Sequence, residues 1–312
     1  MLNQQKKLTV TVGISAYNEQ ENILYALKSI LRQRNTSFEL EKIIVISDGS
    51  TDSTVKKVSN YRKKYHKIFL INENIRRGKK TRLTQIFNLN KSDIIVIFDA
   101  DIILGNSNVI ENMIKHFRHR KVELVGGSIF PIASSNFASK VIAAWYEYRH
   151  ETLKDLNKGN NIHNLHGCAI AMRKVYAKKI KFPKEIISEA QYLYCFSKKF
   201  NKRIIVDIKS AIFFRIPDNL KEYFFKNRRA LNEKQKLEKI FGNWTQELYK
   251  IPITFKIKSL IKMSLLNPIY FLFAILFFFI NKIIPKRRDI SAENGFWKTD
   301  QSTKGAIKNI SF

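Results

Sequence analysis

Short apolar runs alternate with helical segments through the first third of the chain, and this alternation constrains the fold more than any other feature. The segments between the runs, such as Glu19–Arg34, carry apolar residues at helical spacing. Strands that are apolar throughout are typical of a parallel sheet covered by helices on both faces. The sequence therefore predicts an α/β fold. The predicted strands are Thr9–Ser15, Lys42–Ser47, Ile68–Ile71 and Asp93–Phe98.

A cluster of polar residues follows each of these four strands. The clusters are AYNE, SDGSTD, RRGKK and DAD, in chain order. In open parallel sheets, ligands bind beyond the carboxyl ends of the strands. We therefore expect all four clusters to open onto one crevice.

Asp99 and Asp101 belong to the last of these clusters. Two aspartates separated by one residue can face a single divalent cation, and their hard oxygen ligands suit Mg²⁺ or Mn²⁺. Such a cation would clamp a diphosphate and neutralise the negative charge that grows as it leaves. A solvated acidic turn is the alternative, but Asp99 follows five apolar residues directly, which favours the metal site.

Each of the other clusters has a simpler interpretation when it is taken alone. Residues 47–52 could form only a turn and a helix cap. Asn18 and Glu19 could only begin a helix, and Arg76–Lys80 could be a solvated charged loop. Their shared position at one edge of the predicted sheet makes the combination a stronger indication of a site than any member.

The chain is strongly basic, with 56 Lys and Arg against 26 Asp and Glu and a formal net charge of +30. This charge favours an anionic partner, either nucleic acid, an acidic membrane surface or a phosphorylated substrate. The sequence contains no recognised zinc, helix-turn-helix or RNA-platform motif, so we expect no nucleic-acid partner. Its two cysteines, Cys168 and Cys195, are too few for a disulfide framework, which favours a reducing compartment.

A nearly unbroken apolar stretch from Ile269 to Ile280 predicts a C-terminal hydrophobic membrane helix over 264–284. About twenty apolar residues are needed to cross a bilayer, so the stretch is barely long enough. Both of its flanks are basic, which leaves open whether the helix crosses the membrane or lies in its plane. A buried core helix is the remaining alternative. Because the N-terminus lacks the apolar core of a secretory signal, we expect a cell-membrane protein with a cytoplasmic catalytic domain.

The order AYNE, SDGSTD, RGK and FDAD, followed by a glycine-containing strand, resembles family 2 inverting glycosyltransferases of the GT-A fold. The resemblance covers roughly Thr9 to Arg229 and implies a Rossmann-like, mostly parallel sheet flanked by helices. It also implies sugar transfer from a nucleotide-diphosphate sugar, a UDP-sugar by this resemblance, to a lipid-linked or glycan acceptor with Mg²⁺ or Mn²⁺. The predicted division is a catalytic domain over 1–235, an amphipathic interfacial segment over 236–263, a membrane helix over 264–284 and a basic tail over 285–312.

The same resemblance assigns roles to individual residues. It implies that Asp48 holds the uracil and that Glu19 lies near the ribose. It makes Asp99 and Asp101 the carboxylate pair for metal and diphosphate, with Asp101 favoured as the direct ligand. The first Asp of the family's Asp-Asp-Gly-Ser turn appears here as Ser47. The donor-binding residues that it implies are Tyr17, Glu19, Asp48, Lys79, Asp99, Arg228 and Arg229.

Inversion requires a carboxylate that takes a proton from the acceptor hydroxyl. In membrane-bound relatives this base is the Asp of a Glu-Asp or Asp-Asp pair at a helix start, and that position holds Ala190 here. Either Glu189 is the catalytic base, or the register is shifted, or the chain is catalytically weak or inactive. A structural alternative for Glu189 is a charge at a helix N-terminus.

A second departure follows Arg228 and Arg229, which could hold the diphosphate. Processive polymerases of the family carry Gln-Arg-x-Arg-Trp here, and this chain has Ala230 or Leu231 in place of the Trp. The difference argues against a long-chain processive synthase and favours a transferase that adds a single sugar.

Overall fold

The computed structural model describes residues 7–283 and 302–305, except the side chains of 225–232, 281–283 and 302. In this part of the chain eight strands form one sheet, in the order β3-β2-β1-β4-β7-β6-β8-β5. The strands are β1 Leu8–Ala16, β2 Phe38–Asp48, β3 Ile68–Glu73, β4 Ile94–Asp99, β5 Ile102–Leu104, β6 Val122–Ile132, β7 Ala169–Arg173 and β8 Arg203–Arg215. The α-helices are α1 Ile23–Leu31, α2 Thr54–Lys64, α3 Lys79–Leu89, α4 Val109–Ile114, α5 Phe137–Leu153, α6 Lys174–Ala177, α7 Glu189–Lys199, α8 Leu220–Phe241, α9 Ile253–Leu266 and α10 Pro268–Ile283.

The four strands predicted in the first third of the chain are confirmed as β1 to β4. They pair in parallel, with β1 between β2 and β4 and with β3 at the edge. The rest of the sheet is mixed, because β7 runs antiparallel to both β4 and β6 and β5 runs antiparallel to β8. The expectation of a mostly parallel sheet therefore holds for the first half only.

Helices cover both faces of the sheet, as the apolar strands predicted. Alternate residues of β4 enter two different cores: Val96 packs with α1 and α4 on one face, and Ile97 packs with α3 and α7 on the other. α3 lies very close to β1, since a Cβ added at Gly13 would come within 2.4 Å of the Ile86 side chain. This close packing fixes the start of α3, where Lys79 and Lys80 stand, relative to the end of β1.

The single membrane helix predicted over 264–284 is wrong in that form. Asn267 has non-helical backbone angles, so α9 ends there, and Pro268 begins α10, a position that proline favours. α10 has 16 residues, which at about 1.5 Å per residue gives about 24 Å. Within 7–283 and 302–305, no helix is long and apolar enough to span a membrane.

Candidate functional site

An open cavity of about 860 Å³ lies at the carboxyl ends of β1, β2 and β4. Its wall joins residues that are far apart in the sequence, which confirms that the polar clusters open onto one crevice. Arg228 and Arg229 lie in α8, but their side chains are outside the described residues, so their contact with a diphosphate stays a prediction. The predicted site residues on the cavity wall are Tyr17, Glu19, Asp48, Lys79, Asp99, Asp101 and Glu189.

Asp48, the last residue of β2, holds the turn that begins α3. Its Oδ1 accepts a hydrogen bond from the Arg77 backbone N–H at 2.8 Å, and its Oδ2 accepts one from Gly78 at 2.8 Å. Gly78 has φ of 87°, which glycine adopts without strain. The buried Arg82 donates from Nε to Oδ1 at 2.6 Å. A carboxylate accepts about four hydrogen bonds, so one acceptor position is left for a ligand such as the imide of a uracil.

Lys79 and Asp99 form an ion pair at the centre of the cavity wall. The Lys79 Nζ lies 2.6 Å from Asp99 Oδ1 and donates to the Gly167 carbonyl at 3.3 Å. Burial alone would lower the pKa of Lys79, but the negative charges of Asp99 and Glu189 outweigh it and raise that pKa above its ordinary value. The ammonium group is therefore a permanent positive charge beside the carboxylate that is predicted to meet a diphosphate.

Asp99 and Asp101 offer the hard oxygen ligands that Mg²⁺ and Mn²⁺ prefer. Both line the cavity. In the described residues no group of three or more His, Cys, Asp or Glu side chains could hold a metal ion. Two carboxylates on an open wall fit a Mg²⁺-type cation, which takes its other ligands from substrate phosphates and water.

Glu19 is buried and contacts the C-terminal segment 302–305. Its carboxylate accepts hydrogen bonds from the ammonium of Lys304 and from Asn22 Nδ2, the latter at 3.3 Å. The Lys304 Nζ also donates to the Tyr17 carbonyl at 3.0 Å. Burial and then the charge of Asp101 raise the pKa of Glu19 to about 8, although Lys304 acts in the opposite direction. A lysine from the C-terminal region therefore belongs to the cavity wall.

Lys304 was not predicted as a site residue. The sequence separates it from Glu19 by 285 positions, and only the basic character of the tail could have drawn attention to it. Arg76, which the sequence places in a charged loop, contributes a second unpredicted contact. Its guanidinium lies 3.9 Å from the centre of the Tyr17 ring, a distance at which a cation is attracted to an aromatic face.

Glu189 is the first residue of α7, and its carboxylate lies on the cavity wall. The residue is only 5% exposed, and its Oε1 has no hydrogen-bond partner among the described residues. Burial raises the pKa of Glu189, Lys79 lowers it and Asp99 raises it further, with a net increase. Ala190 does not line the cavity and is packed in the core at 3% exposed. Of the two positions, only Glu189 places a carboxylate at the cavity.

Another part of the cavity wall combines aromatic and aliphatic side chains with charged and polar ones. It is built by β6, α5, β8 and α9; α9 contributes Met263 and Leu266, and Asn267 follows the end of that helix. This wall combines apolar surface with a few polar side chains, which suits an amphiphilic ligand. Its other members include Phe130, Pro131, Tyr146, Arg149, His150 and Phe214.

Comparisons with known proteins agree with the resemblance seen in the sequence. The model of the family described as Glycosyl transferase family 2 matches residues 11–181. A dolichyl-phosphate beta-glucosyltransferase, ALG5A of Trichomonas vaginalis, is 29% identical over 97 residues, which are 30% of this chain and 30% of that protein. A poly-beta-1,6-N-acetyl-D-glucosamine synthase of Staphylococcus aureus is 32% identical over 111 residues, which are 35% of this chain and 26% of that protein.

The chain matches less than a third of the length of these curated relatives. Among solved structures, the mannosyltransferase PcManGT from Pyrobaculum calidifontis, in complex with GDP-Man and Mn²⁺, has a TM-score of 0.58 at 18% identity. That similarity covers 90% of this chain and 77% of the mannosyltransferase, and it shows that the two proteins share the GT-A-like fold.

Proposed function

Since the chain belongs to glycosyltransferase family 2, we propose that it transfers a sugar from a nucleotide-diphosphate sugar to a hydroxyl of a lipid-linked or glycan acceptor, with inversion. A UDP-sugar is the proposed donor, from the resemblance of the Asp48 turn to the family's uracil site. The observation that carries the proposal is the convergence of Asp48, Asp99, Asp101 and Glu189 on one cavity.

Asp99 and Asp101 would hold Mg²⁺ or Mn²⁺, which supplies positive charge to the diphosphate of the donor. Lys79 and Lys304 bring two ammonium groups to the same wall. These fixed charges would bind the diphosphate and stabilise it as it leaves, because oriented charges in a partly buried site need little rearrangement during the reaction. Asp48 would accept a hydrogen bond from the base through its remaining acceptor position.

Glu189 would act as the general base. In this step the acceptor oxygen bonds to the anomeric carbon, the bond from that carbon to the diphosphate oxygen breaks, and the hydroxyl proton moves to Glu189. The partnerless Oε1 is available for the proton. The raised pKa of Glu189 strengthens the carboxylate as a base, since catalysis is most effective when the pKa approaches the working pH.

The transfer assay uses the full chain with Mn²⁺, radiolabelled UDP-glucose, UDP-N-acetylglucosamine and GDP-mannose, and a membrane lipid extract as acceptor. We expect label from one donor to enter the product with the anomeric configuration opposite to that of the donor. Transfer with retention, or no transfer and no nucleotide release from any donor, would contradict the proposal.

We also propose that the protein binds the cytoplasmic face of the cell membrane through α9 and α10. The two helices leave a continuous series of apolar side chains exposed, and lysines such as Lys256 interrupt it, as in helices that lie at a membrane surface. The net charge of +30 favours an anionic lipid surface. The exposed residues are Ile253, Ile257, Leu260, Ile261, Leu265, Leu266, Ile269, Leu272, Phe273, Leu276, Phe279 and Ile280.

Met263 and Leu266 of α9 also line the cavity, so an acceptor with a lipid chain could reach Glu189 from this surface. In the proposed division, 1–235 is the catalytic domain, 236–263 and 264–284 form the membrane-binding region, and 285–312 is a tail that returns Lys304 to the site. Sedimentation with phosphatidylglycerol vesicles tests the membrane proposal. We expect binding that Leu265→Asp combined with Leu276→Asp abolishes. Equal binding by the double variant would contradict it.

A further inference from the structure

Two charged side chains, the half-buried Lys80 of α3 and the fully buried Glu233 of α8, bind the loop that leads into Glu189. We infer that both are positioning residues, which hold the carboxylate of Glu189 at the cavity. The inference rests on the proposed role of Glu189 as the base. It concerns residues 178–188, which join α6 to α7 without a helix or a strand of their own.

Lys80 binds three backbone carbonyls of this loop at once. Its Nζ donates to Pro183 at 3.1 Å, to Lys184 at 2.7 Å and to Ile186 at 2.5 Å. An ammonium group has three donors, so the loop uses the whole capacity of this side chain. Burial lowers the pKa of Lys80, because it removes water from the charged ammonium group and so disfavours the charged form. The three bonds compensate for part of that effect.

Glu233 binds the two backbone N–H groups that come directly before Glu189. Its Oε1 accepts from Ile187 at 3.2 Å and from Ser188 at 3.0 Å, and its Oε2 accepts from Ile187 at 3.0 Å. Glu233 is 0% exposed. Hydrogen bonds to a buried charged group are stronger than those between neutral groups, so these bonds restrain the backbone closely.

Together the two side chains form hydrogen bonds with five backbone groups of residues 183–188, three carbonyls and two N–H groups. A loop without such partners would bind water and move. The Oε1 of Glu189 has no hydrogen-bond partner among the described residues, so the position of that oxygen depends largely on the backbone before it. A misplacement of a reacting group by about 1 Å can reduce a rate about a hundredfold.

α3 also links the base to the donor side of the cavity. Lys79 contacts Asp99, and the next residue, Lys80, contacts the loop of Glu189. Both lysines stand on the first turn of a helix that packs tightly against β1 at Gly13. α3 therefore sets the distance between Asp99, the carboxylate predicted to meet the diphosphate, and Glu189, the proposed base.

Lys236 provides a matched control. It also donates to a carbonyl of the loop, that of Glu185 at 2.8 Å, but this hydrogen bond is exposed to solvent. Water can replace the ammonium there, so Lys236→Met should leave the loop in place. Lys80→Met removes three hydrogen bonds at once, two of them partly buried, which water replaces less completely.

Glu233 offers a second pair of variants. Glu233→Gln keeps an oxygen that can accept from Ile187 and Ser188, whereas Glu233→Ala removes both acceptors. A positioning role predicts a small loss for the glutamine and a large loss for the alanine. A direct role in proton transfer predicts equal losses, because neither residue can take up a proton.

The assay measures nucleotide release from the preferred donor with Mn²⁺ in the full chain, and it measures thermal stabilisation by UDP and GDP as a separate binding readout. We expect Lys80→Met and Glu233→Ala to lose about a hundredfold in kcat, with KM for the donor and the nucleotide-induced shift in Tm unchanged. The kcat of Glu233→Gln should stay within severalfold of that of the unchanged protein. The kcat of Lys236→Met should equal that of the unchanged protein. Hydrogen exchange at Ile187 and Ser188 should accelerate in Lys80→Met and Glu233→Ala.

Unchanged kcat in Lys80→Met and Glu233→Ala, with Glu189→Gln inactive, would overturn the positioning role and leave the proposed function intact. Full activity of Glu189→Gln would instead remove the proposed base. Equal inactivity of Glu233→Gln and Glu233→Ala would make Glu233 part of the chemistry. If Lys80→Met or Glu233→Ala does not unfold cooperatively, the inference is tested by amide hydrogen exchange in the unchanged protein. Faster exchange at Ile187 and Ser188 than in β4 would contradict the inference.

Discussion

The two sides of the cavity differ in how their carboxylates are bound. On the donor side, Asp48 receives three hydrogen bonds from the start of α3, and Asp99 is paired with Lys79. On the base side, Glu189 is about as buried as Asp48, but one of its oxygens has no hydrogen-bond partner among the described residues. The carboxylates of Asp48 and Asp99 are already held by hydrogen bonds or an ion pair, whereas Glu189 keeps one oxygen without a hydrogen bond among the described residues. Burying a carboxylate oxygen without a hydrogen bond destabilises a fold, so this arrangement favours the proposed role of Glu189.

Glu189→Gln tests this contrast with the largest expected effect. The amide keeps the shape of the side chain but cannot take up the proton, so we expect kcat for transfer to fall about a thousandfold. Stabilisation by the nucleotide should remain, because the donor side is untouched. Glu185→Gln, on the exposed part of the same loop, is the control. Transfer that persists in Glu189→Gln would mean that the base lies elsewhere.

Lys79→Met sharpens the comparison from the donor side. The change removes the positive charge beside Asp99, so the diphosphate would meet an unpaired carboxylate. We expect KM for the donor to rise about tenfold or more, since a charge-assisted hydrogen bond contributes about 1.5–3 kcal/mol. Steady-state kinetics at several donor concentrations measures the change. An unaltered KM would show that Lys79 serves only to hold Asp99.

Lys304→Met examines the unpredicted member of the donor side. Loss of its ammonium should raise KM for the donor about tenfold and leave vesicle binding as it was. Lys250→Met is a suitable control, because Lys250 is exposed and forms an ion pair with Glu247, three residues away, on the surface. If both variants have the same KM, the segment that carries Lys304 does not take part in donor binding.

The smallest expected effect concerns Glu19 and the pH dependence of stability. Its pKa is raised from an ordinary value near 4.5 to about 8, so the folded protein binds a proton that the unfolded chain releases. Stability should therefore fall as pH rises from about 5 to 8, and Tm should drop by about 3 °C beyond the change seen in Glu19→Gln. Thermal melts of both proteins at pH 5 and 8 measure it, and identical pH dependence would contradict the raised pKa.

Much of the donor side could be predicted from the sequence, for a physical reason. Buried parallel strands need continuous apolar residues, and the loops beyond their ends meet at one edge of the sheet. Asp48, Asp99 and Asp101 were placed together by this rule alone. The direction of β7 could not be predicted, because an apolar run of its length suits either orientation.

The base side was harder to predict because its geometry depends on contacts between distant segments. The sequence left Glu189 as the base, a shifted register and a weak or inactive chain as alternatives, and the structure adds that Ala190 is packed in the core while Glu189 lines the cavity. The contacts of Lys80 and Glu233 with the loop join residues more than 40 positions apart. Lys304 was the hardest to predict, because 285 positions separate it from Glu19, whose carboxylate it contacts. In contrast, the break between α9 and α10 was present in the sequence as Asn267 and Pro268.

Calorimetric titration of UDP into the full chain, with and without Mn²⁺, tests most directly whether this cavity binds a nucleotide diphosphate through its aspartates. We expect UDP binding that requires Mn²⁺, that Asp101→Asn abolishes and that Glu189→Gln retains. Binding of equal strength in Asp101→Asn, or no binding of either UDP or GDP to the unchanged protein, would contradict it.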